Sequence, residues 1–437
     1  MSKPAKWPFG CFLVALVASV CLFWVPIYLV MHTAAGTAVV NQPGSLADPQ
    51  AGTRYHALDA LRATMMLLGI YLHVVVGYTG DGRWPYIDPH PAHGINITLG
   101  VIHSFRMPTF YVMAGFFGAL LWDRRGFAAF ASNRTKRVLL PFALFWSLMF
   151  PLVAVAQVRL ERGADKVIPF FTSGEVFKHL HPMHLWFLEY LLLLYAIAAM
   201  SVPVWRRLPE ALRQFATVAY RWTLERWYAP LLCAVFSWLP LYAMHGGLKD
   251  CDGFVPEPFI LLAYVVPFGF GWALYHNRDL LPRFQRYPWL YVALTVPAWF
   301  LWAASGKEHL VFCAAGNVSL CWFWTFAWIG LYLKFLSQPR PLMRYLSDSS
   351  YWLYIMHLPV VVGLQFAFLP VPLPALAKIP IVLALAVAIL IVSYDLVVRP
   401  TWVGALLNGR RYPRHLPVEP VVGLPGAACG DPAGRVN

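Results

Sequence analysis

Apolar runs of about 20 residues recur along the chain between short polar stretches, a pattern that predicts membrane-spanning helices. Ten fall at roughly 57–79, 96–122, 138–160, 184–204, 229–245, 258–276, 288–304, 310–336, 346–370 and 377–399. A further apolar run over 11–31 is broken by Pro26, and the small, polar, Pro/Gly-containing stretch 33–53 follows it. The chain thus divides into an N-terminal hydrophobic segment with a flexible linker (1–53), a transmembrane core (54–400) and a tail (401–437). The tail is Pro/Gly/Ala-rich over 409–437 and reads as disordered and cytoplasmic. The fold class expected is all-α: a polytopic membrane protein with a ten-helix transmembrane core and an extra N-terminal hydrophobic segment.

The polar stretches set an orientation. Alternate loops are basic: Arg124, Arg125, Arg134, Lys136 and Arg137; Arg206, Arg207, Arg213, Arg221 and Arg226; Arg278, Arg283 and Arg286. Lys334, Arg340 and Arg344 continue the series, with Arg399, Arg410, Arg411 and Arg414 after the last span. By the positive-inside rule residue 56 and the C-terminus are cytoplasmic. The run at 11–31 follows Lys3 and Lys6 and resembles a signal peptide or N-in anchor, which would invert that orientation. An N-out extra span, a hairpin or interfacial helix bent at Pro26, or a true start at Met31 would each reconcile the two. The stretch 205–228 is basic and amphipathic, most simply a helix lying on anionic lipid.

Composition agrees with the pattern. Of 437 residues, 59% are hydrophobic and 12% charged, against about 25% charged in soluble domains, and mean hydropathy is +0.58. The net charge of +14 reports basic loops rather than nucleic-acid binding. Seven cysteines without C-x-x-C spacing imply neither a metal site nor a disulfide framework.

Ionisable residues at membrane depth are costly and mark candidate sites. In the first span Asp59 and Arg62 stand near the start and His73 well inside. The eleven-residue offset puts Arg62 and His73 on one face, about 20° off register and about 16 Å apart. A snorkelling arginine and a hydrogen-bonded histidine would also explain them. The second span holds H-S-F-R-M-P, with His103 and Arg106 as i,i+3 neighbours before Pro108. A guanidinium at that depth suits a carboxylate, a phosphate or a developing oxyanion, or else a structural contact with a carbonyl or an acid. Arg134 and Arg137 share a face by the same spacing at a cytoplasmic boundary, where they could clamp a phosphorylated ligand. In H-P-M-H-L-W-F-L-E-Y, Glu189 needs a cation or a proton, with Arg106 or a histidine as partner. In the ninth span Ser350, Tyr354 and His357 fall on one face, a polar interior or a hydrogen-bond seam between helices. The pattern suits a ligand with a polyanionic head at the cytoplasmic edge and chemistry deeper in the bilayer.

Five blocks, in order over roughly 54–400, resemble the integral-membrane acyltransferase family 3. They are L-D-A-L-R with His73, F-R-M-P-T-F-Y-V-M-A-G-F-F, R-T-K-R-V-L-L-P, H-L-W-F-L-E and S-Y-W-L-Y-I-M-H-L-P. The F-R-M-P and H-L-W-F-L forms look closest to a branch that succinylates periplasmic glucans. The resemblance implies transfer of an acyl group, acetyl or succinyl in class, from cytoplasmic acyl-CoA to a hydroxyl of an extracytoplasmic cell-envelope glycan. It places the chain in the bacterial cytoplasmic membrane and makes His73 the essential histidine, with Arg62 its motif partner and Arg134 and Arg137 the R-x-x-R pair. In that scheme His73 is the general base and Arg106 the oxyanion donor or the anchor of a dicarboxylic acyl group. An acyl-histidine relay is the alternative to direct transfer. Two features depart from the family: its usual W-S-L-x-x-E form is absent, and the run at 9–32 is extra. A proton-coupled transporter or flippase, with the buried histidines and Glu189 as relay, is the reading from a different class; no internal repeat supports it.

Overall fold

Thirteen α-helices, with short 3₁₀ and π stretches, make up all the regular structure among the described residues. The computed structural model describes residues 55–409 and 411, apart from 81–83, 85, 93, 252 and 307. The expectations for the segment 1–53 and for the end of the tail fall outside the described residues. In chain order the helices are α1 (His56–Val76), α2 (Asn96–Arg134), α3 (Leu140–Arg162), α4 (Val167–Thr172), α5 (Trp186–Arg207), α6 (Glu210–Leu224) and α7 (Ala229–Ala243). They continue with α8 (Pro258–His276), α9 (Pro288–Ser305), α10 (Leu310–Phe335), α11 (Pro341–Ala367), α12 (Ala375–Ser393) and α13 (Trp402–Asn408).

Among the described residues seven helical stretches are long and apolar enough to cross a membrane, which makes this a polytopic membrane protein. Each of the ten apolar stretches read from the sequence is helical, but they are not ten equivalent spans. Two of them lie in one helical stretch, Asn96–Arg159, through the π segment Thr135–Leu139. Within α2, Gly126 breaks the helix geometry with φ 73° and ψ 177°, a conformation open to glycine. Two others fall outside the seven: α7 has 15 residues, or about 22 Å against the ~30 Å hydrocarbon core, and α9 has 18 but is less apolar. The basic segment before α7 does form an amphipathic helix, α6, whose Phe215 and Val218 are exposed.

α1 lies at the centre, packed on α2, α10, α11 and α12. Much of its surface is therefore covered by protein, and its polar residues meet side chains from other helices. α2 packs closely on α8, where a Cβ on Gly115 would overlap the Phe268 carbonyl and one on Gly271 the Val112 carbonyl. Helices without a hydrophobic drive between them associate through such small-residue contacts.

Candidate functional site

His73 sits where α1, α2 and α11 meet the turn before α5. It borders a cavity of about 40 Å³ also lined by His103 and Arg106 of α2, His184, and Tyr354 and His357 of α11, room for a few waters. The His73 and His357 rings are 4.9 Å apart between centroids, and His184 and His357 are also 4.9 Å apart. His73, His184 and His357, from three chain segments, thus cluster at one small space that His103 also lines. Arg106 reaches it because Gly69, one turn before His73 on α1, has no side chain: a Cβ there would overlap the Arg106 Nη1.

Hydrogen bonding fixes what the cavity offers. A carbonyl only accepts, so each ring nitrogen facing one must be the N–H donor. His357 Nδ1 donates to the Tyr354 carbonyl at 2.5 Å and His184 Nε2 to the Ile355 carbonyl at 3.0 Å. Their other nitrogens, His357 Nε2 and His184 Nδ1, are then bare acceptors when the rings are neutral. Both are buried without a partner among the described residues, as is the Arg106 Nε–H donor. Orphaned polar atoms at a buried cavity call for water or a polar ligand. Around them, Tyr354 donates to the His184 carbonyl at 2.7 Å, and His103 Nε2 donates to the Leu248 carbonyl at 3.1 Å.

The structure sorts the residues singled out from the sequence. His73, His103, Arg106, Tyr354 and His357 come together at this cavity. Ser350, expected on the same stripe, instead donates to the Ser347 carbonyl at 2.9 Å. Glu189 is not among the cavity-lining residues, and its Oε2 is buried without a hydrogen-bond partner among the described residues. No ion pair joins it to Arg106 or to a histidine among them.

A second cluster forms at the Arg62 end of α1. Arg62 pairs with Asp59 at 3.3 Å, and its Cζ lies 5.5 Å from the centre of the Phe117 ring. Arg134 Nη2 donates to the Phe117 carbonyl at 3.5 Å, and its guanidinium rests on the Tyr195 ring at 4.3 Å. Arg62 and Arg134 therefore meet at Phe117. Arg137 does not join them: its Nη1 donates to the Leu406 carbonyl of α13 at 3.3 Å. The expected shared face assumed α-helical spacing, and Thr135–Leu139 is a π turn, whose wider coil alters the angle between the two side chains.

Three contributors were not singled out from the sequence. His184 stands in a one-turn 3₁₀ helix, Met183–Leu185, and its only signal was being the second histidine of H-P-M-H. Trp84 stacks on His73 with ring centroids 5.2 Å apart and planes at 27°. Asp250 also lines the cavity, with Oδ1 4.0 Å from His103 Nε2. A larger cavity of about 490 Å³ lies between α5, α6 and α8, away from these residues, and is walled mostly by apolar side chains.

Comparison with known proteins places this arrangement in context. Residues 55–398 match the family described as an acyltransferase domain, Acyl_transf_3. Glucans biosynthesis protein C of Shigella dysenteriae serotype 1 (strain Sd197) is 26% identical over 192 residues, 43% of this chain and 48% of that one. The same figures hold for the protein of that name from Escherichia coli (strain SMS-3-5 / SECEC). The chain spans about half the length of the curated relatives it matches. No solved structure matches it.

Proposed function

The chain belongs to the acyltransferase 3 family, and from that premise we propose that it moves an acyl group from cytoplasmic acyl-CoA to a hydroxyl of an extracytoplasmic cell-envelope glycan. The acyl group is of the acetyl or succinyl class, and the relatives named for glucan biosynthesis favour a glucan as acceptor. The basic loops orient the Arg62 end of α1 toward the cytoplasm. The observation that carries the reading is the convergence of His73, His184, His357 and Arg106 on one small cavity.

A thioester is already activated, so the enzyme needs a base for the acceptor and a donor for the oxyanion. Neutral His73 takes the proton of the acceptor hydroxyl as its oxygen attacks the thioester carbon. The Arg106 guanidinium holds the charge that develops on the carbonyl oxygen. As the tetrahedral centre collapses, the C–S bond breaks and the thiolate of CoA takes the proton from His73. The products are the glycan ester and free CoA thiol. His357 Nε2 and His184 Nδ1 are acceptors suited to neighbouring hydroxyls of a sugar. Arg62 and Arg134 hold the phosphates of CoA, while Arg137 ties this region to α13.

The test is acyl-CoA turnover by purified protein in nanodiscs, with acetyl-CoA and succinyl-CoA offered separately. Wild type should hydrolyse its preferred donor slowly without acceptor. His73→Ala should lose about 10²–10⁴-fold and Arg106→Ala about 10²–10³-fold. Undiminished turnover in His73→Ala would remove the base from this scheme.

A further inference from the structure

Between α1 and α2, several of the described residues are buried in the protein. Tyr78, Tyr86 and Asp88 are 0%, 1% and 1% exposed. Asp88 accepts from Lys378 Nζ of α12 at 2.8 Å, from the Tyr86 hydroxyl at 2.7 Å and from the His90 amide at 2.9 Å. The Asp88 amide donates to the Gly77 carbonyl at 3.1 Å, and the Ala92 amide to that of Tyr78 at 2.9 Å. A Cβ on Gly77 would come within 2.7 Å of Gln365 Nε2 and 2.8 Å of the Tyr86 ring. The segment and α11 thus close tightly on the end of α1.

Trp84, from the same connection, stacks on His73. Its Nε1 donates to Gln365 Oε1 at 2.8 Å. The Gln365 amide in turn donates to the carbonyls of His73 at 3.1 Å and Val74 at 2.9 Å. Gln365 is fully buried, so one amide ties the indole to the backbone that carries His73. The imidazole itself lies between the Trp84 ring at 5.2 Å and the His357 ring at 4.9 Å. An interfacial tryptophan with no further task would account for an indole near a membrane boundary. It would not account for a stack on the candidate base combined with a hydrogen bond to the amide that holds that base's backbone.

We propose that Trp84 is a positioning residue for His73: with Gln365 it fixes the plane of the imidazole, and the Asp88–Lys378 ion pair anchors the segment that carries it. The proposal rests on His73 being the base. A base that can rotate within its cavity loses alignment with the hydroxyl, and misplacement of about 1 Å costs about 100-fold. Trp84 touches neither donor nor acceptor in this scheme and acts through His73.

The experiment uses the full chain in nanodiscs with the donor preferred by wild type. It compares Trp84→Phe, Trp84→Leu and His73→Ala by kcat and KM for donor hydrolysis. Alongside, diethyl pyrocarbonate modification of His73 is followed by mass spectrometry. Trp84→Leu should lower kcat about 10–100-fold with donor KM within about twofold, and should speed His73 modification several-fold. Trp84→Phe keeps a flat ring against the imidazole but loses the donor to Gln365, so its kcat should fall between those of Trp84→Leu and wild type. Equal kcat in Trp84→Leu and wild type would overturn the proposal, as would a defect confined to KM or an unchanged modification rate. If His73→Ala remains active, the base assignment fails and this proposal with it; if only the Trp84 variants remain active, the base stands and the positioning role falls.

Discussion

A guanidinium beside a histidine in a membrane protein requires space, and Gly69 supplies it. An alanine there would put a Cβ into the Arg106 Nη1, the far end of a flexible side chain. The helix gains about 0.5–1 kcal/mol from losing a glycine, so folding should survive while the charge moves away from His73. Gly69→Ala should therefore keep or raise the melting temperature while lowering acyl-CoA turnover at least about tenfold; a variant as active as wild type would show that the position of Arg106 is immaterial. The Asp88–Lys378 pair gives a second residue-scale expectation, because both side chains are 2% exposed or less. Burial pushes the Asp88 carboxyl up, but the Lys378, Tyr86 and His90 donors more than offset this and hold it below the usual carboxylate range. A carboxylate depressed on folding contributes stability that is present above its unfolded value, about pH 4, and is lost as pH falls through the folded one. Asp88→Asn leaves an uncompensated ammonium and should cost about 3–5 kcal/mol at neutral pH. Adding Lys378→Met should restore much of it, with both changes read as melting temperature in detergent across pH 3–7.

At the scale of helices, two glycines on α8 separate contact from empty space. Gly271 lies against the Val112 carbonyl of α2, whereas a Cβ on Gly269 would meet nothing within 4 Å. Gly271→Ala must push two backbones apart and should cost about 1–3 kcal/mol, whereas Gly269→Ala should be neutral or slightly stabilising. Equal melting temperatures for the two would mean that the α2–α8 contact yields easily. The helices were legible as apolar runs, but their number as separate spans was not: two runs share the stretch Asn96–Arg159 and α7 falls short of the bilayer core. Arg62 and His73 do lie on one uninterrupted α-helix, which is what the spacing argument needs. The shared face of Arg134 and Arg137 was misread because the pattern does not reveal a π turn, and that turn sends Arg137 to α13. His184 sits in a one-turn 3₁₀ helix beside Met183 at φ 52°, and Trp84 lies between α1 and α2 outside any helix. No periodicity marks such residues, and only the packing of α1 against α11 brings them to His73. Glu189 shows the converse: an acid in an apolar helix is conspicuous, yet the fold keeps it away from the cavity.

The whole molecule places two polar clusters at different depths along α1, with Arg62 and Arg134 meeting at Phe117 and the histidines about 16 Å farther along. On the proposed reading, the two clusters would serve the two ends of a donor whose anionic head and reactive thioester are separated by a long arm, as in acyl-CoA. If the basic pair grips the head, a thioester of the same acyl group cut back to the end of the arm should react with a lower kcat/KM than acyl-CoA. Arg134→Ala should then lower kcat/KM about 10–100-fold with acyl-CoA, as expected for losing a hydrogen bond to a charged group. With the truncated thioester the same substitution should change it less than about twofold, since the interaction is already gone. Equal losses with both donors would mean that Arg134 acts through the packing of Tyr195 and Phe117 rather than on the phosphates. His73→Ala, by contrast, should lower turnover of both about 10²–10⁴-fold, because on the proposed reading the bond being made lies at the histidine end whichever donor is supplied.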